Sequence, residues 1–220
     1  MLHTMVIAPR TAAVLLAMAT VLMASCTRYV DARAVAGSDL STVAASDASQ
    51  CEAVDAPLTT IHATNDDEPV MKIPQPQGWV RSTMMDSELI RFAMGNQSLV
   101  KDAFAPTVVV TFESARGIED PSVVFEAERE SLESIAGATD LRVTEHTLCG
   151  LPAETVHFQM AAVGNVAPHP AIAVFAVLHT DDMTYATSVT VQSTDPDNPT
   201  YQRDSEMILT GFQLLPPSPT

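Results

Sequence analysis

The feature that most constrains this chain is a period-two apolar alternation recurring along most of its second half, the pattern of strands with one buried face. Thr107-Val108-Val109-Val110-Thr111-Phe112 is β-branched and predicts a well-buried strand. Leu141 to Cys149 sets Leu141 and Val143 against Arg142 and Thr144, and Thr155 to Val163 puts Val156, Phe158 and Met160 on one face. Ala171 to Thr180 is nearly all apolar, and Thr184 to Ser193 turns Val189 and Val191 inward, with Asp181-Asp182 predicting a hairpin turn between them. Upstream, Val70 to Ile73 predicts a short strand running into the turn Pro74-Gln75-Pro76-Gln77-Gly78. Leu89 to Met94 alternates, with Ile90, Phe92 and Met94 on one side.

Two helices interrupt the strands. Asp120-Pro121 supplies an N-cap with proline in the first turn, and Val124, Phe125, Leu132 and Ile135 follow at helical spacing. Asn198-Pro199 starts a second helix that ends at Gly211, with Tyr201, Ser205, Ile208, Leu209 and Phe212 along one side. Strands in hairpin order with two helices argue an α+β fold, a mostly antiparallel sheet with helices packed on it.

The N-terminus carries a different message. Residues 1–10 hold no acid and end in Arg10, and residues 11–25 run without a charge before small residues, the pattern of a secretory signal. A transmembrane helix is the competing reading, and it needs about 20 apolar residues. Leu22-Met23-Ala24-Ser25-Cys26 resembles a bacterial lipobox, with Met23 standing where leucine is usual. The resemblance implies cleavage before Cys26, transfer of diacylglycerol to its sulfur, with acyl chains such as palmitate, and anchoring on the outer face of the cell membrane. Soluble secretion by ordinary cleavage is the alternative.

Cysteine arithmetic agrees with export. If Cys26 of the three cysteines carries lipid, Cys51 and Cys149 remain as an even pair, for which an oxidising compartment favours a disulfide. Two buried free thiols are the alternative. Residues 26–50 are small and polar and predict a flexible tether, leaving 51–220 as one domain. The chain has 11 basic against 27 acidic residues, which argues against nucleic acid and against electrostatic docking on anionic lipid.

Several of these segments together are similar to the mycobacterial LpqN/LpqT lipoprotein family. The likeness is carried by Val70 to Trp79, the helix opening at Asp120-Pro121, the turn Leu148-Cys149-Gly150-Leu151-Pro152-Ala153 and the exit Ile208-Leu209-Thr210-Gly211-Phe212. Leu151 stands where that family has an aromatic residue. The resemblance implies a fold like the Mog1p/PsbP α/β/α sandwich and brings no catalytic residues with it.

A search for chemistry gives little that is specific. The chain has no Gly-x-Ser-x-Gly elbow, His-Glu-x-x-His helix, Walker loop or Rossmann glycine string. Cys149 and His157 have the types of a nucleophile and base, but a disulfide competes for the thiol. His146, His157 and His179 fall on strands without zinc-ligand spacing, and His169 between two prolines predicts a solvated loop. Asn65-Asp66-Asp67-Glu68 and Asp195-Pro196-Asp197-Asn198 lack calcium-loop spacing. Glu126, Glu128, Glu130 and Glu133 are read as the wet face of the first helix, with Arg129 partly offsetting them.

The expectation is therefore a cell-envelope lipoprotein with no enzymatic activity and no cofactor, binding a protein partner or an apolar envelope molecule. The alternative is a hydrolase acting on envelope glycan or lipid. An apolar groove between sheet and helices would carry the binding, with Trp79, Met84, Met85, Phe92 and Val109 as its candidate lining. Core filling is the competing role for the Met84-Met85 pair.

Overall fold

The computed structural model describes residues 48–217. The expected signal segment, Cys26 and the tether up to residue 47 lie outside the described residues. After a single 3-10 turn at Ala48–Gln50, the described strands are β1 (Leu58–Ile61), β2 (Val70–Pro74), β3 (Val80–Ser82), β4 (Ile90–Gly95), β5 (Thr107–Arg116), β6 (Thr139–Leu148), β7 (Leu151–Met160), β8 (His169–His179), β9 (Met183–Gln192) and β10 (Gln213–Leu215). Helix α1 spans Pro121–Ser134 between β5 and β6, and α2 spans Pro199–Thr210 between β9 and β10.

Seven strands form one antiparallel sheet in the order β3-β4-β5-β9-β8-β7-β6, and β1-β2-β10 form a second, three-stranded sheet. Because side chains alternate across a strand, the large sheet has two apolar faces. On one, Val108, Val110, Phe112, Val174, Leu178, Val189 and Val191 pack beneath α2 and the small sheet, whose Met71, Ile73 and Leu214 complete this core. On the other, Val156, Phe158, Ala173, Phe175 and Val177 pack beneath α1. Strand β8 feeds both cores, which is why its sequence is continuously apolar where its neighbours alternate. The predicted α+β architecture holds.

Both helices begin as their caps predict. The Asp120 carboxylate accepts from the Ser122 backbone N–H, and the Asn198 amide oxygen accepts from the N–H groups of Thr200 and Tyr201. At the β6–β7 hairpin Leu148 pairs with Leu151, leaving Cys149-Gly150 as a two-residue turn with φ of 52° and 80°. Positive φ at both positions is the type I′ geometry that matches strand twist.

Three expectations need correction. Ile135 does not join the helical stripe: the helix stops at Ser134, the chain turns through Gly137, and Ile135 is 84% exposed. His169 is not solvated, because β8 starts there. It is buried, with Nδ1 2.9 Å from the Ala167 carbonyl and Nε2 2.8 Å from the Gln192 side-chain oxygen. Glu128 and Arg129 leave the wet face of α1, as described below. Strands β1 and β3 were not anticipated, being only four and three residues long with no sustained alternation.

Candidate binding groove

Helix α2 covers the large sheet only in part. Past its edge, the α2-facing side chains of β6, β7 and β8 are left under an open groove of about 500 Å³. Ile172 and Val174 from β8, Leu148 from β6 and Thr155 and His157 from β7 form its floor, and Tyr201 and Leu209 of α2 form one wall. Gln50 and Glu52, beside the chain's entry into the domain, form part of another. This size falls within the range of small-molecule sites, which are largely apolar with a few placed polar groups. Burial pushes the Tyr201 phenol well above its usual pKa, so it stays neutral.

The rim is polar. The His146 imidazole lies with Nε2 2.9 Å from the Thr155 hydroxyl and Nδ1 3.1 Å from the Thr147 carbonyl. With Nδ1–H donated to that carbonyl, Nε2 accepts from Thr155. Cys51 and Cys149 are joined by a disulfide, with a sulfur–sulfur distance of 2.03 Å, and Cys149 also lines the groove. The bond ties the entry segment to the β6–β7 turn, and Gln50 packs so closely over Gly150 that a Cβ there would lie 2.0 Å from the Gln50 amide oxygen. A disulfide sulfur is no nucleophile, which removes the Cys149–His157 pair from consideration.

The residues expected to line a groove lie elsewhere. Trp79 is a core residue: its indole N–H donates to the Asp204 carboxylate at 2.9 Å, cross-linking the β2–β3 turn to α2. Asp204 is fully buried, and the neighbouring Arg203 guanidinium satisfies its other oxygen at 2.7 Å. Phe92 is buried beneath the Arg81 guanidinium, which stacks 4.5 Å above its ring. Met84 is 93% exposed and Met85 about half exposed, on the loop between β3 and β4, so the pair is neither core nor part of the groove floor. The groove lies between sheet and helix at the β6 side of the sheet, and none of Trp79, Met84, Met85, Phe92 or Val109 lines it. Its floor was readable as strand residues; nothing in the alternation says that α2 stops short of covering them.

Beneath α1 one acid and one base, Glu128 and Arg129, depart from the expected solvated face. Glu128 is half-buried, and desolvation, with the Glu113 carboxylate adding repulsion, pushes its pKa from 4.5 to about 7. Arg129 reaches down to the buried Glu154 of β7, donating to one oxygen at 2.6 Å. Among the described residues no group of three metal-ligating side chains assembles, and no helix is long and apolar enough to cross a membrane.

A large antiparallel sheet between α1 and a layer made of α2 and a small sheet defines an α+β sandwich. That fold is shared with LpqN of Mycobacterium tuberculosis, described as involved in cell envelope biogenesis, with a TM-score of 0.58 over 73% of this chain and 91% of LpqN. Sequence identity is 16%, so the likeness is one of fold, and at that level the resemblance read from the sequence holds. Weaker likenesses were found to the Ran-binding protein Mog1p of Saccharomyces cerevisiae (13% identity, TM-score 0.45, 74% of this chain and 97% of Mog1p) and to cyanobacterial PsbP of Synechocystis (14%, 0.43, 74% and 96%). No protein-family model matches the chain, and no curated protein matches it in sequence.

Proposed function

We propose that this chain is an acyl-anchored lipoprotein on the outer face of the cell membrane, whose domain holds an apolar envelope molecule without transforming it. The observation that carries the reading is the groove of about 500 Å³ with its Leu148, Ile172, Val174 and Leu209 surface, set beside the point where the chain enters the domain. An apolar floor with a polar rim suits a ligand with a hydrocarbon body and a hydrogen-bonding head. The shared fold with LpqN supports placement in a cell envelope, and the lipobox-like segment ending at Cys26 supports the anchor. The signal segment 1–25 and tether 26–50 belong to the same proposal. The hydrolase alternative loses its cysteine nucleophile to the disulfide.

The test is native mass spectrometry of the full chain purified from its exporting host. A retained small molecule that disappears when Val174→Trp fills the groove is the expected result. A bare protein mass, or a bound molecule indifferent to Val174→Trp, overturns the binding reading. Membrane fractionation of Cys26→Ala tests the anchor separately, since unchanged partitioning would refute acylation at that residue.

A further inference from the structure

On the α1 side of the same sheet edge a second, smaller hollow of about 240 Å³ is lined by Pro121, Phe125, Arg129, Glu145, Pro152 and Glu154. Glu154 is 1% exposed, and Arg129 satisfies one of its oxygens. The other oxygen, Oε1, is buried and has no hydrogen-bond partner. A buried carboxylate oxygen left without a donor is costly, and native structures seldom tolerate one without a reason.

Glu145 stands directly across from Glu154 in the β6–β7 register, so two carboxylates share this face. Like charges placed opposite one another repel, and the Arg129 charge is paired with Glu154 alone. The hollow is thus short of one cation and of one N–H donor at the same place. Pro121, Phe125 and Pro152 give the hollow an apolar wall, with Ser122 and His146 also at its lining, and the Phe125 ring is a surface on which a cation and its methylene stem can rest.

We propose that this hollow is a binding site for an organic cation bearing N–H groups, an alkylammonium or guanidinium head on an apolar stem. The head donates to Glu154 Oε1 and pairs with Glu145, and the stem lies against Phe125 and the two prolines. A hard metal ion is a poor fit, since it seeks six or more oxygen ligands and would sit beside the Arg129 charge. The volume admits a head group and its first methylenes, being below the usual size of a whole small-molecule site.

The experiment is a protein-observed NMR titration of the full chain carrying Cys26→Ser, which removes the need for detergent. The probes are n-butylammonium, butyltrimethylammonium and n-butanol. Saturable shifts at Phe125, Arg129, Glu145 and Glu154 with n-butylammonium alone are expected. Glu145→Gln, at an exposed position, should weaken that binding by about ten-fold, the effect of losing one charge-assisted contact. Absence of saturable shifts, an equal response to the quaternary analogue, or a Glu145→Gln titration like the parent's would overturn the proposal. Comparison with capped lysine amide then assigns the source: tighter binding of the amide points to a partner's lysine, and tighter binding of butylammonium to a free amine.

Discussion

Glu128 makes the stability of this fold depend on pH in a direction opposite to that of most carboxylates. It sits mid-helix on α1, beside a hollow of about 230 Å³ that it shares with Glu113, Val124, Ala127 and Ala186. Burial first, and the Glu113 charge second, raise its pKa from 4.5 to about 7. Between those two values the folded chain keeps a proton that the unfolded chain has released. Stability therefore falls as pH rises through this window, the contribution being intact below 4.5 and gone above 7. At about 1.4 kcal/mol per tenfold change in proton affinity the full effect is about 3 kcal/mol. The partly exposed position reduces it, so about 2 kcal/mol is the working figure. Glu128→Gln keeps the shape and the neutral form at every pH. In denaturant unfolding it should exceed the parent's stability by about 2 kcal/mol at pH 8 and match it within about 0.5 kcal/mol at pH 4.5. Glu113→Gln should recover a smaller part of the gain. A Glu128→Gln advantage that is the same at both pH values, or a loss at pH 8, would show that the carboxylate is solvated and the reasoning wrong.

Two further outcomes follow from the core. Replacing Cys51 and Cys149 together with serine opens a loop of 98 residues and should cost up to about 4 kcal/mol in denaturant unfolding; a variant as stable as the oxidised parent would refute a stabilising bridge. Trp79→Phe keeps the ring but strips the buried Asp204 of its indole donor, and should lower stability by about 1–3 kcal/mol, with a loss below 0.5 kcal/mol refuting the role assigned to that hydrogen bond.

Much of the architecture could be read from residue order because strand alternation and helix caps are local properties. Val156 and Phe158 report the face of β7, and Asp120-Pro121 and Asn198-Pro199 mark helix starts, without any knowledge of what packs on them. The groove was not legible in this way. Ile172 and Val174 look like any other inward residues of β8, and their partial uncovering depends on where α2 lies across the sheet. Met84-Met85 misled because an apolar pair carries no sign of whether a loop folds inward or outward. Two acids did leave a trace. Glu128 falls four residues from both Val124 and Leu132, within the apolar stripe of α1, and Glu154 alternates in phase with Val156 and Phe158. Each is a charge at a position whose spacing demands burial.

The order of strands in the large sheet has a consequence for how the chain reaches this state. Strand β9 lies at the centre, between β5 and β8, so Thr107–Arg116 must wait for Met183–Gln192 before the β5–β9 ladder can form. The three-stranded sheet is likewise complete only when β10, which comes last, pairs with β2. Pairings of such long sequence separation form late, since loop-closure entropy opposes them until their partners are present. A chain delivered N-terminus first, whether from a ribosome or through a translocation pore, cannot close its central sheet until nearly all of it has emerged. Completion of the sheet before most of the chain is available is thereby disfavoured by topology.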